Sequence, residues 1–230
     1  MSVTRIALVG IGKIARDQHI PTIAASEQFE LVAAVTGHEP PEGTPGFRTI
    51  AEMMRAMPEV QAVSICTPPR RRIQLVAEAF DHGLDVMIEK PPAATISEAE
   101  AFAELARAAD RILYATWHSR EAAGVEPARR WLEGKRIVRV TCHWKEDVRV
   151  WHPGQAWIWE PGIGVFDPGI NALSVLTRIL PAPLLLQSAE LRFPENREAP
   201  IAYSTPPGTR ARPRASSPRA AGLKASGSNA

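Results

Sequence analysis

The sequence predicts an α/β protein built on a doubly wound parallel sheet. Two observations predict it. Short apolar runs alternate with segments of helical length through the first half of the chain, and a glycine-rich turn closes the first of those runs.

Residues 5–9 form an apolar run ending at Gly10, a buried strand, and a helix is expected over 12–25. Residues 29–35 read as the second strand and 36–47 as a Gly/Pro-rich loop. A helix at 50–57 precedes the third strand, 62–66, which Thr67-Pro68-Pro69 stops. The helix at 71–82 closes at Gly83, the fourth strand is 85–88, and Ser97 with Glu100 reads as a capping box for a helix to Ala109. The fifth strand is 111–115. Right-handed crossovers bring the carboxyl ends of all these strands to one rim, where the chemistry is expected.

The pattern changes after Trp117. A helix at 125–133 leads to a long β-branched strand at 136–145, then a loop at 146–165 carrying Trp151, Trp157 and Trp159. Residues 167–180 read as a helix and 186–193 as a strand. The expected division is therefore 1–117, 118–203, and a disordered basic tail at 204–230.

Composition narrows the function. The 230 residues are 45% hydrophobic and 23% charged, with a net charge of +2. Residues 204–230 hold five basic residues and no acid, so the body is mildly acidic and carries no nucleic-acid footprint. No apolar run approaches the roughly 18 residues of a membrane span. Cys66 and Cys142 fit neither a disulfide framework nor a zinc site, and no metal site is expected. With no cleavage signal at the start, the expectation is a cytoplasmic protein that engages neither membrane nor nucleic acid.

Gly10-Ile11-Gly12-Lys13-Ile14-Ala15 matches G-x-G-x-x-A at a strand-to-helix junction. Gly10 permits the tight turn, Gly12 lets the backbone approach a pyrophosphate, and the helix N-terminus favours its charge. The first half is thus read as a Rossmann domain binding NAD or NADP. An acid at the end of the second strand would select NAD. Thr36-Gly37-His38 stands there instead, which favours NADP or use of both nucleotides, although no arginine lies at that corner of the sequence. Glu89-Lys90-Pro91-Pro92 ends the fourth strand on the same rim, placing Lys90 beside the nicotinamide, with a cis bond before Pro91 one way to fix the turn.

The glycine turn, Thr67-Pro68, Glu89-Lys90-Pro91 and an aspartate opening a later helix together resemble the glucose-fructose oxidoreductase/inositol dehydrogenase family over about residues 4–200. That resemblance implies a second α/β domain with a mostly antiparallel open sheet that covers the nicotinamide and often serves as an oligomer surface. Trp117-His118-Ser119, Lys145-Glu146-Asp147, Trp151-His152-Pro153-Gly154-Gln155 and Phe166-Asp167-Pro168-Gly169-Ile170-Asn171 are similar to its aldose 1-dehydrogenases, which oxidise a pyranose C1 to a lactone with L-arabinose or D-galactose. The implied cofactor residues are Gly10, Ile11, Gly12, Lys13, Ile14, Thr36, His38, Cys66, Thr67, Pro68, Glu89, Lys90 and His118.

The catalytic set is Lys90, Asp167 and Asn171. Asp167 and Asn171 are four apart, so a helix puts them on one face. Asp167 is favoured as the base with Lys90 orienting, the reverse assignment staying open. Lys90, His118, Glu146, His152, Asp167 and Asn171 are expected to bind sugar hydroxyls, with Trp151 under the pyranose carbons. Most of the wider family carries histidine where this chain has Asn171, as the sugar 1-dehydrogenases do. Gly162-Ile163-Gly164 is compressed by one residue relative to the usual glycine run, a shift expected to displace the loop before Asp167.

Family members continue for about another hundred residues, whereas recognisable sequence ends here near Ile201-Ala202-Tyr203. The residues beyond that point read as an out-of-frame or shortened product. The resulting expectation is an incomplete second sheet and a weakened homo-oligomer, the alternative function being a nucleotide-binding chain without turnover.

Overall fold

The computed structural model describes residues 3–204, so the tail from residue 205 onward, for which disorder is expected, lies outside the described residues. Five apolar runs become β1 (Thr4–Val9), β2 (Phe29–Val35), β4 (Ala62–Ile65), β5 (Asp85–Glu89) and β6 (Leu113–Thr116). A two-residue strand, β3 (Gly46–Phe47), forms inside the segment expected to be all loop. The six strands are parallel in the order β3-β2-β1-β4-β5-β6. Strand order reverses at β1, which opens a crevice at the carboxyl ends of β1 and β4.

Helices cover both faces, so the central strands are buried along most of their length. On one face Ala7, Val9, Val35, Val63, Ile65, Val86 and Ile88 pack with three helices. These are α2 (Ile50–Ala56), α3 (Arg72–Asp81) and α4 (Ile96–Ala109), which contribute Ile50, Met53, Val76, Phe80 and Phe102. On the other face Leu8 and Ala34 meet Ile11, Ala15 and Cys66 under α1 (Ile20–Ala24). A single π-helical turn, Ala15–His19, leads into α1 and ends on the buried His19.

Local signals set the helix ends. Gly83, at φ +70°, closes α3, and Leu84 N–H bonds the Ala79 carbonyl at 3.0 Å. The capping box of α4 lies two residues earlier than expected. Thr95 accepts from Glu98 N–H at 3.2 Å, and Glu98 accepts from Ala94 N–H at 2.9 Å. Thr95-Ile96-Ser97-Glu98 satisfies the same pattern as Ser97–Glu100, and it captures the earlier turn.

In the second half, α5 (Val125–Leu132) packs on α7 (Phe166–Ile179), and the long loop between them holds α6 (Val148–Trp151) and a 3₁₀ turn, Ala156–Trp159. The strand expected at 136–145 does not form, and Val138, Val140 and Trp144 are exposed. A strand needs a neighbour to take its backbone groups, and among the described residues no strand pairs with this segment. The expected strand at 186–193 shrinks to β7 (Glu190–Arg192), antiparallel to β8 (Ala202–Ser204), so Ser204 ends a strand instead of opening the tail.

Candidate active site

The nucleotide turn is dictated by backbone geometry. Gly10 has φ +89°, and a Cβ there would lie 2.8 Å from Thr67 Cγ2, so only glycine fits. Around Gly12 nothing lies within 4 Å of a Cβ position, leaving an open cradle at the helix start. Thr67 Oγ1 is buried with no hydrogen-bond partner beside this cradle. Ile11 and Cys66 are buried beneath it, Ile14 packs against the same cluster, and Lys13 pairs with Asp17 along the helix. An open glycine turn with an orphaned hydroxyl on its rim fits a dinucleotide.

At the end of β2, Thr36 Oγ1 accepts from His38 N–H at 3.0 Å. Here the sequence reading is corrected, because β3 delivers Arg48 to this corner, with its Nη1 3.5 Å from the Gly37 carbonyl. Arg16 also reaches it, donating to the Glu39 carbonyl at 3.1 Å. No periodicity in the sequence announces these arginines; Arg48 arrives through the pairing of Ala34 with Gly46 and Val35 with Phe47, and Arg16 from the π-helical turn after β1.

On the same rim, Lys90 Nζ lies 3.2 and 3.1 Å from the two carboxylate oxygens of Asp167, across 77 residues of sequence. The Lys90–Pro91 peptide is cis. Asp167 sits in the first turn of α7, its side chain 2% exposed, and His152 Nε2 lies 3.1 Å from its Oδ2. Burial pushes the Asp167 carboxyl up, but the bonds from His152 and Lys90 outweigh it and hold the group below the usual carboxylate range. The Asp167 carboxylate raises the His152 pKa above the ordinary imidazole value, against burial.

His152 is oriented from behind. Trp157 Nε1 donates to Gln155 Oε1 at 3.0 Å, and His152 Nδ1 lies 3.1 Å from the same oxygen. An indole N–H only donates, which identifies that atom as the amide oxygen and makes Nδ1 a donor too. Since Nε2 faces a carboxylate, both ring nitrogens are placed to donate, an arrangement that favours the protonated imidazole beside Asp167 in the triad Lys90–Asp167–His152. His152 therefore sits on Asp167, a partnership that spacing alone did not announce.

One helical turn on, Asn171 is buried on the same face of α7, with Nδ2 3.5 Å from Glu146 Oε1. Trp144 Nε1 donates to that oxygen at 2.7 Å. His118 is exposed in a 3₁₀ turn, its Nδ1 3.4 Å from Ser119 Oγ, and makes no hydrogen bond to the triad. Trp151 ends α6 and is 59% exposed, its ring open to solvent. Despite its short glycine run, the loop ahead of Asp167 is tightly held: Gly164, at φ +54°, would place a Cβ 2.3 Å from the Pro200 carbonyl, and Val165 N–H bonds that carbonyl at 2.7 Å.

A buried polar layer beneath Lys90 has no counterpart in the sequence reading beyond Glu89. His19 Nε2 lies 2.8 Å from Glu89 Oε1, and Ser64 Oγ lies 3.0 Å from His19 Nδ1. Arg72, 3% exposed, donates to the carbonyls of Thr67, Glu89 and Pro91. It thereby ties the loop after β4 to the turn that carries Lys90.

Residues 4–116 match the model of the oxidoreductase family with the NAD-binding Rossmann fold, GFO_IDH_MocA. The galactose 1-dehydrogenase of Pseudomonas fluorescens is 46% identical over 204 residues, covering 89% of this chain and 66% of that protein. The chain belongs to the GFO_IDH_MocA oxidoreductase family. The crystal structure of a D-galactose-1-dehydrogenase protein from Rhizobium etli superposes with a TM-score of 0.84 at 50% identity, over 88% of this chain and 66% of that one. The WlbA dehydrogenase of Bordetella pertussis, solved with NADH and UDP-GlcNAcA, shares the fold at a TM-score of 0.70 and 21% identity, over 87% and 62% of the two chains. The chain spans about two thirds or less of the length of these three relatives.

Proposed function

We propose that this chain is an NAD(P)-dependent aldose 1-dehydrogenase, oxidising C1 of a pyranose of the D-galactose or L-arabinose type to the lactone, with NADP preferred. The observation that carries this reading is the contact of Lys90 with Asp167 at the nucleotide rim, with Asn171 and Glu146 one helical turn away. The similarity to a galactose 1-dehydrogenase supports it.

Gly10, Gly12 and Thr67 hold the dinucleotide, and the nicotinamide, when bound, supplies the hydride acceptor. Asp167 takes the C1 hydroxyl proton, and Lys90 holds the C1 oxygen and the charge of Asp167. Asn171, having no titratable proton, orients a hydroxyl by hydrogen bonding alone. Glu146 and His152 bind further hydroxyls, Trp151 offers its ring face to the pyranose carbons, and His118 contributes from the rim. The proton that Asp167 takes passes on to His152 Nε2, 3.1 Å away, once that imidazole has lost its own proton to solvent.

The test monitors NADPH and NADH formation by the 230-residue chain with D-galactose, L-arabinose and D-xylose. Turnover with one sugar, abolished by Lys90→Ala and by Asp167→Asn, is expected. Undiminished turnover in Asp167→Asn with loss in Lys90→Ala would reverse the acid–base assignment. Nucleotide binding without turnover on any sugar would overturn the dehydrogenase reading in favour of a chain that only binds the nucleotide.

A further inference from the structure

Resting on the reading that the chain binds a nicotinamide dinucleotide, we propose that Arg48 and His38 seat the 2′-phosphate of NADP. Arg48 is then the residue that sets the choice between NADP and NAD.

The pairing of β3 with β2 builds the site. Thr36 N–H bonds the Phe47 carbonyl at 2.9 Å, so the chain leaving β3 runs beside the chain leaving β2. A cavity of about 380 Å³ opens between them, lined by Thr36, His38, Pro40, Phe47, Arg48 and Glu52. It lies at the end of β2, where a Rossmann fold reads the adenosine ribose.

Among the polar lining groups, Arg48, Thr36 and His38 can donate to an anion and Glu52 opposes it. The Arg48 guanidinium is exposed, and its 3.5 Å approach to the Gly37 carbonyl is at the outer limit of a hydrogen bond, so it is weakly held there. Its planar fork of donors matches a phosphate. The Thr36 hydroxyl accepts from His38 N–H and keeps its own proton to donate. Arg16 holds the turn from outside through the Glu39 carbonyl.

Glu52 is the group that opposes. It also lines the cavity, and a carboxylate there can accept a ribose hydroxyl instead. Its Oε2, however, already accepts the Arg48 backbone N–H at 2.8 Å, which draws it towards the start of α2. The cavity thus holds both a phosphate reader and a hydroxyl reader, and the cation is the less committed of the two.

The experiment titrates the full 230-residue chain with NADPH and NADH by nucleotide fluorescence, with 2′,5′-ADP and 5′-AMP as competitors. NADPH and 2′,5′-ADP are expected to bind more tightly than their partners. Arg48→Ala should cut the NADPH-to-NADH affinity ratio by about 10-fold or more, and Glu52→Gln should raise it. Both positions are exposed, and circular dichroism checks that the variants fold. An unchanged ratio in Arg48→Ala overturns the proposal. So does tighter NADH binding that Glu52→Gln abolishes, which assigns the cavity to a free 2′-hydroxyl. If neither dinucleotide binds, the nucleotide reading itself falls with it. Sugar turnover does not enter the measurement, so a catalytically silent chain still decides the question.

Discussion

In the proposed dehydrogenase reaction Lys90 and Asp167 have different duties within one ion pair, and each predicts its own loss. Removing a positioned acid or base costs typically 10²–10⁴ in rate. Lys90→Ala and Asp167→Asn are therefore each expected to lower kcat/KM for the sugar by at least about 100-fold, read from NAD(P)H formation. His152 predicts a pH dependence. Its pKa is raised by the Asp167 carboxylate, and oxidation must release a proton, so turnover should rise with pH through a value above about 6.5. In His152→Gln that rise should disappear from the pH profile of kcat/KM. Stability moves the opposite way. The His152 contribution is complete below about 6.5 and is lost as pH climbs through its higher folded value. The Asp167 contribution is present above about 3.9 and is lost as pH falls through its depressed folded value. The triad is thus most stabilising between those limits, and thermal melts across pH 3–9 should show a maximum inside that window.

At the scale of elements, the site is made by the carboxyl ends of β1, β2, β4 and β5 meeting the N-terminal turn of α7. Arg72 couples two of them, because its guanidinium bonds carbonyls on both the loop after β4 and the turn after β5. Burial works against its charge and lowers its pKa to about 10, the Glu89 carboxylate offsetting only part of that cost. Arg72→Met leaves the three carbonyls of Thr67, Glu89 and Pro91 without their donor. The urea midpoint should fall by the equivalent of about 3 kcal/mol or more. Arg72→Lys should recover little, since one ammonium does not span three separated carbonyls. Gly10→Ala is a contrasting case. Its strain is confined to one turn against Thr67, so dinucleotide binding should be lost while the far-UV spectrum stays that of the wild type.

Over the whole molecule, order is unevenly distributed. The six-stranded sheet is covered on both faces, whereas the second half has a two-stranded sheet and a segment at 136–147 with exposed apolar side chains and no strand partner among the described residues. Backbone amides without internal bonds exchange fast. Hydrogen exchange is therefore expected to show protection over β1, β4 and β5 and none over 136–147, and limited proteolysis should cut first within that segment. Strong protection at 136–147 would mean that a second copy or another segment supplies the partner strand.

The sequence by itself determined the Rossmann half almost element by element. Alternating apolar runs, Gly10 and Gly12, and the Gly83 cap are local signals, and local backbone sterics do not depend on distant partners. It also placed Asp167 and Asn171 on one helical face, a consequence of 3.6-residue periodicity alone. Tertiary structure decided the rest. Arg48 reaches the β2 corner only because β3 pairs with β2, His152 settles on Asp167 only once the tryptophan loop folds over α7, and Arg72 finds its carbonyls only when β4 and β5 lie side by side. The strand expected at 136–145 failed for the same reason. β-propensity is a property of a segment, but a strand is a property of a pair, and no pattern within one segment can state where its hydrogen-bonding partner will be.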